Sequence, residues 1–158
     1  MNRPISAFAA LAALASAACS SGAPDWVDFA ALEPMDTGSE YLICGPAVCP
    51  GAGEPGDVLR FSFPADHVAA VIVEIEPTAV QRQLDNGDYQ LQYSPQSFDA
   101  RFPDDVDVLV HADSFYTSEV AIYARARVAR ADVGKSEARA TALVEALKAE
   151  LGEPLSEN

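Results

Sequence analysis

The sequence predicts an α+β fold, a single antiparallel sheet of about five strands with two helices packed on one face, in the order β-α-β-β-β-β-α. Three observations predict it. Short runs after residue 57 alternate apolar and polar residues, the period of a half-buried strand. Asn86-Gly87 stands between two such runs, where a tight turn joins antiparallel neighbours. Two further stretches carry apolar residues at helical spacing and supply the layer that buries one sheet face.

Taken in order, Val58 to Phe63 has β-formers at alternate positions and ends at Pro64. Ala65 to Ile75 places Val68, Val71, Ile72 and Ile75 on one side of a helix, with Asp66 complementing the positive end of the helix dipole and Pro77 closing the segment. Thr78 to Asp85 and Asp88 to Tyr93 form a hairpin. A two-residue type I′ turn at Asn86-Gly87 sets Leu84 opposite Tyr89, Arg82 opposite Leu91 and Val80 opposite Tyr93. Gln81, Gln83, Gln90 and Gln92 then share the other, wet face. Val106 to His111 and Val120 to Val128 follow, joined through the polar stretch Asp113 to Ser118, and turn Val106, Val108, Val110, Val120, Ile122, Ala124, Ala126 and Val128 toward the core. From Ser136, a fair N-cap, Ala140, Leu143, Val144, Leu147 and Leu151 make the apolar stripe of a last helix that Gly152 and Pro154 stop.

The first nineteen residues assign an address. Asn2 and Arg3 give a positive start, Ile5 to Ala15 an uncharged apolar run, and Ser16-Ala17-Ala18 small residues leading into Cys19. That run falls short of the roughly 20 residues that cross a bilayer as a helix, so residues 1–18 read as a cleaved export signal. A cysteine directly after small residues resembles the lipobox of bacterial lipoproteins, which implies an acylated Cys19 as the new amino terminus. Ordinary secretion after Ala17 or Ala18 is the alternative. Ser20 stands where an Asp marks inner-membrane retention in enteric bacteria, so the resemblance implies an outer-membrane or periplasm-facing location. Residues 19–40 then read as tether, 41–152 as the domain and 153–158 as a tail. Within the tether, Trp26, Phe29 and Leu32 give one helical turn an apolar side, expected to pack on the domain.

Loss of the signal removes one cation, Arg3, and no acid, leaving 9 basic against 24 acidic side chains. A surface so acidic repels phosphate backbones, which excludes nucleic acid as a partner, and it disfavours lying flat on anionic lipid. A hydrophobic content of 49% argues against disorder. Cys44 and Cys49 are the two remaining cysteines, in the loop-like CGPAVC. Export makes a local disulfide the expected state, with two free thiols as the alternative.

Arg125, Arg127, Arg130, Lys135 and Arg139 are five of those nine cations, gathered within fifteen positions. Alternation puts Asp105, Asp107 and His111 opposite the valines, on the face shared by Arg125 and Arg127, and cross-strand ion pairs follow. The sharper reading is an anion site, in which Arg127 and Arg130 meet the backbone N–H groups that open the last helix around Gly134 to Glu137. Asp104, Asp105, Asp107 and His111 fail as metal ligands, because Asp104 points away and the spacing lacks a calcium loop's Gly and terminal Glu. Without a Gly-x-Ser-x-Gly elbow or an evident dyad, no catalytic residue, cofactor or metal is assigned.

The stretches FPDDVDV and ARVARADVGKSEAR also resemble the signature of the domain of unknown function 1499 family. Asp104, Asp105 and Val106 match its Val-Asp-Asp-Val segment, and Arg127, Val128, Asp132, Gly134 and Arg139 match the segment that opens its final helix. Cys44 and Cys49 resemble the family's two cysteines ahead of the domain. The resemblance spans about Tyr41 to Leu151. It implies the same fold, for a family with no established activity. Asp104, Asp105, Arg127, Arg130, Asp132, Gly134 and Arg139 together form the candidate polar or anion site. The expected function is a cell-envelope lipoprotein with a binding or structural role, attached to the membrane through Cys19 and partnered by an envelope protein or small ligand. An enzyme with an Asp/Arg cleft near the last strand and helix is the alternative.

Overall fold

The computed structural model describes residues 24–33, 39–52, 58–95, 104–127 and 134–156. A 3₁₀ turn, Phe29–Ala31, is followed by β1 (Glu40–Ile43), β2 (Leu59–Phe61), α1 (Ala65–Ile75), β3 (Val80–Gln83), β4 (Tyr89–Tyr93), β5 (Asp104–Ala112), β6 (Ser118–Ala126) and α2 (Lys135–Leu151). The strands make one antiparallel sheet in the order β1-β6-β5-β4-β3, and β2 shares the outer edge of β6 with β1. Both helices lie on one face, so the fold is the α+β arrangement that periodicity predicts.

Alternation on the central strands fills the core. Val106, Val108 and Val110 of β5 and Val120, Ile122 and Ala124 of β6 are fully buried beneath Val68 and Ile72 of α1 and Ala140, Leu143 and Leu147 of α2. Each large aliphatic side chain buried here stabilises the fold by about 1.5–3 kcal/mol. Helix α1 takes the bounds read from the sequence because Pro64 fits the N-cap position, where no N–H is needed. Gly152, at φ +87°, ends α2.

Four expectations are corrected. Strand β1 lies partly in the stretch read as tether and gives the sheet a sixth strand. It is four residues long, and its partner, Ile122–Arg125, lies about eighty positions away. Ser136 does not cap α2: Gly134 holds the N-cap position, and Ser136 sits buried in the first turn with its hydroxyl donating to the Ser39 carbonyl at 3.0 Å. The last strand stops at Ala126, and Val128 lies outside the described residues.

The hairpin turn is the fourth. Leu84 N–H donates to the Asp88 carbonyl and Gly87 N–H to the Leu84 carbonyl, closing a three-residue loop of Asp85, Asn86 and Gly87. Gly87 is left-handed at φ +92°, whereas no described residue other than glycine has positive φ. A type I′ turn would need Asn86 there too. The observed loop is the turn with a left-handed glycine bulge, and Asn86 braces it by bonding the Asp88 carboxylate and N–H. One extra loop residue moves the register by one, so Arg82 faces Gln90 and Val80 faces Gln92. Leu91 and Tyr93 turn to the helices, and Arg82, Gln90 and Gln92 to the other side.

We expect Gly87→Ala to lower stability by about 1 kcal/mol in urea unfolding, although no atom lies within 4 Å of the added Cβ. An unchanged midpoint would count against the left-handed residue.

Candidate functional site

The face away from the helices is polar, yet it is covered. Asp105, Asp107, Leu109 and His111 of β5 lie on this side beside Glu119, Ala121, Tyr123 and Arg125 of β6, with Gln90, Gln92 and Arg82 continuing the surface. Two segments roof it, and the expectation of a wet face fails for that reason. Residues 24–33 run across as a strap, with Phe29 and Leu32 buried. Residues 44–52 form a loop closed by a Cys44–Cys49 disulfide. Both meet Leu109, Ala121 and Tyr123 in a second small core.

Hydrogen bonds fix the strap where apolar area is small. The Gln90 amide donates to the Val27 carbonyl, and the Gln92 amide to the Asp25 carbonyl at 3.0 Å and to Asp107 Oδ1 at 2.7 Å. The Arg82 guanidinium lies 4.6 Å over the Trp26 ring, within range of a cation–π contact. The loop passes so close over Glu119 that a Cβ on Gly45 would lie 2.3 Å from its carboxylate, and Arg60 approaches that carboxylate at 3.6 Å.

The sheet divides the residues singled out from the sequence. Asp104 and Arg139 pair on the helix side, at the start of α2. Asp105 and Arg127 pair on the roofed side through a two-pronged contact of 2.8 and 2.6 Å, and Ser94 donates to the same carboxylate at 2.8 Å. Arg125 reaches Asp107 at 3.7 Å. Arg127 therefore points away from the N–H groups of α2, and the anion site expected between them is not assembled by these two elements. Gly134 supplies the turn at φ +78° that starts α2. Arg130, Asp132 and Cys19 lie outside the described residues.

Electrostatics separates the two inward carboxylates. Burial raises the Asp105 pKa, but hydrogen bonds from Arg127 and Ser94 and the charges of Arg127 and Arg125 outweigh it, so the carboxyl sits below its usual range. The Asp105 contact in turn raises Arg127. Asp107 has no exposed surface. Burial pushes it up to about 6, against the hydrogen bond from Gln92 and the charge of Arg125. The raised value follows from that full burial, which penalises the charged form. Tyr123, buried and beside Glu40, is pushed up to about 12.

Two openings remain at the margins of the roof. One, of about 570 Å³, is bordered by Asp25, Gln92, Asp105, Arg125 and Arg127. The other, of about 510 Å³, runs between the strap and β3–β4, with Trp26, Phe29, Val48 and Leu109 as apolar walls and Arg82, Asp88 and His111 as polar ones. Asp88 is buried and accepts from His111 Nδ1 at 3.1 Å and from the Ala112 N–H at 2.9 Å. Sequence reasoning missed this second opening because the assumed turn placed Arg82 opposite Leu91. An arginine and a leucine sharing a core face was the signal against that register.

Among the described residues no helix is long and apolar enough to cross a membrane, and no group of three or more His, Cys, Asp or Glu is placed to hold a metal ion. No family model, curated protein or solved structure matches the chain.

The Asp107 carboxyl makes stability depend on pH. Its folded pKa, about 6, exceeds the ordinary 3.8. The folded state thus binds the proton more tightly, and that contribution is complete below pH 4 and lost as the pH rises through 6. Asp107→Asn keeps an acceptor for Gln92 and never ionises. We expect it to exceed the wild type by about 2–3 kcal/mol in urea unfolding at pH 7.5, with the gap closing below pH 4. A gap that stays constant across that range would rule out a raised Asp107.

Proposed function

We propose that this chain is an exported cell-envelope protein with a non-catalytic binding or structural role, held to a membrane by a lipid on Cys19 and related to the domain of unknown function 1499 family. The observation that carries the reading is the Cys44–Cys49 disulfide at the centre of the roof. A local disulfide that shapes a covering loop belongs to an oxidising compartment, which is where the signal-like residues 1–18 would deliver the chain. Cys19 stands six positions before Asp25, whose carbonyl is bonded to Gln92. At about 3.5 Å per residue the link spans no more than roughly 20 Å, so an acylated Cys19 would hold the domain beside the bilayer.

The family resemblance is supported by its residues acting in pairs. Asp105 takes Arg127 and Asp104 takes Arg139, so the matching acids and arginines tie the start of β5 to the residue just past β6 on one face and to α2 on the other. A non-catalytic role fits the same facts, since the described carboxylates of that group are occupied by arginines and lie on opposite sides of the sheet.

The test is intact mass and membrane partition of the protein from its native host, compared with Cys19→Ser. We expect a diacylglyceryl-sized increment on Cys19 and a shift of the variant to the soluble fraction. An unmodified soluble chain beginning near Cys19 would overturn the anchor and leave a soluble periplasmic or secreted protein.

A further inference from the structure

We propose that the groove between the strap and β3–β4 binds a small aromatic carboxylate, with Arg82 taking its charge. This deepens the binding reading above by naming the ligand, and it does not depend on the anchor at Cys19. The argument begins with the arginines. Five are described, and Arg60, Arg125, Arg127 and Arg139 each face a carboxylate. Arg82 faces none among the described residues. Its Nε and Nη2 both donate to the one neutral oxygen of Gln90, at 3.0 and 2.6 Å. In a chain with 24 acids against 10 bases, it is the one described arginine that meets no carboxylate among the described residues.

Its surroundings favour an external anion. A guanidinium has five N–H donors in a fixed fork that matches a carboxylate. Two are engaged by Gln90, and none of the others has a protein acceptor among the described residues. Trp26 covers one face of the guanidinium and holds the fork in place at the groove. The carboxylates of the groove already have donors: Asp28 accepts from the Ala30 N–H at 3.1 Å, and Asp88 from His111, Asn86 and Ala112. They are accordingly less available to turn inward onto Arg82.

The walls describe the rest of the ligand. Phe29, Val48 and Leu109 present apolar surface, and a volume of about 510 Å³ lies within the range of small-molecule sites. A flat ring against those walls with a carboxylate on Arg82 uses both. The disulfide-closed loop carries Val48, so one wall is held by a covalent link.

Trp26 is the single tryptophan, so its indole N–H gives one cross-peak in a ¹H–¹⁵N NMR spectrum and reports on this groove. The full mature domain is titrated with 2-naphthoate and with its neutral counterpart 2-naphthamide. We expect a saturable shift of the indole peak with naphthoate and binding of the amide at least about tenfold weaker, the loss that corresponds to one charged contact. Arg82→Gln should bring naphthoate down to the level of the amide, and Arg127→Gln should leave it unchanged. Should Arg82→Gln fail to fold, the comparison of naphthoate with naphthamide on the wild type decides. No saturable shift, or equal binding of acid and amide, would overturn the proposal while leaving the mass test of Cys19 untouched.

Discussion

The pairing of β5 with β6, nine residues on each strand, separates the two faces on which everything else is built. On one side the pair presents valine, isoleucine and alanine to two helices. On the other it presents carboxylates, arginines, a histidine and only three substantial apolar groups, Leu109, Ala121 and Tyr123. Strand alternation forces this division, because neighbours in a strand cannot share a face. Since both sides are covered, the polar side has to find partners without water.

It does so in two ways. Carboxylates on the central strands take arginines from β6 and α2, and the glutamines of β4 take backbone carbonyls of the strap. The second device explains why a stretch with little apolar area stays on the sheet. Each amide donor that meets a carbonyl stabilises by about 1 kcal/mol net, whereas an orphaned buried donor would cost more. Asp107 is the exception that reveals the constraint. It has a glutamine donor and a distant arginine, too little to offset full burial, and its pKa rises in consequence. The roof also leaves margins, and at one of them Arg82 stands with an aromatic neighbour and no ion-pair partner among the described residues.

Much of the fold was legible in the sequence, for reasons that particular segments make plain. Ala65–Ile75 carried a helical stripe between two prolines, and its bounds need no tertiary information. The valines of β5 and β6 showed their faces by alternation alone. Strand β1 escaped notice because four residues give alternation too little length to register, and because its pairing is set by a strand far along the chain. Asp-Asn-Gly admits both a two-residue and a three-residue turn, and the difference is one residue of register. That single step hid Arg82 by turning it, on paper, into the core. The polar residues near the last strand were recognised as a group, but strand alternation already implied that Asp104 and Asp105 could not serve one site.

The sequence by itself determined the class of fold, the two helices, the core faces of the long strands and the acidic character of the chain, since each depends on local periodicity or on composition. Only the tertiary structure decided which way the hairpin faces, that the polar side is roofed, and which described arginine meets no carboxylate among the described residues. Those outcomes depend on contacts such as Gln90 with Val27 and Gln92 with Asp25, more than sixty positions apart. No local pattern encodes such contacts, because each half is satisfied equally well by water until the chain brings the two together.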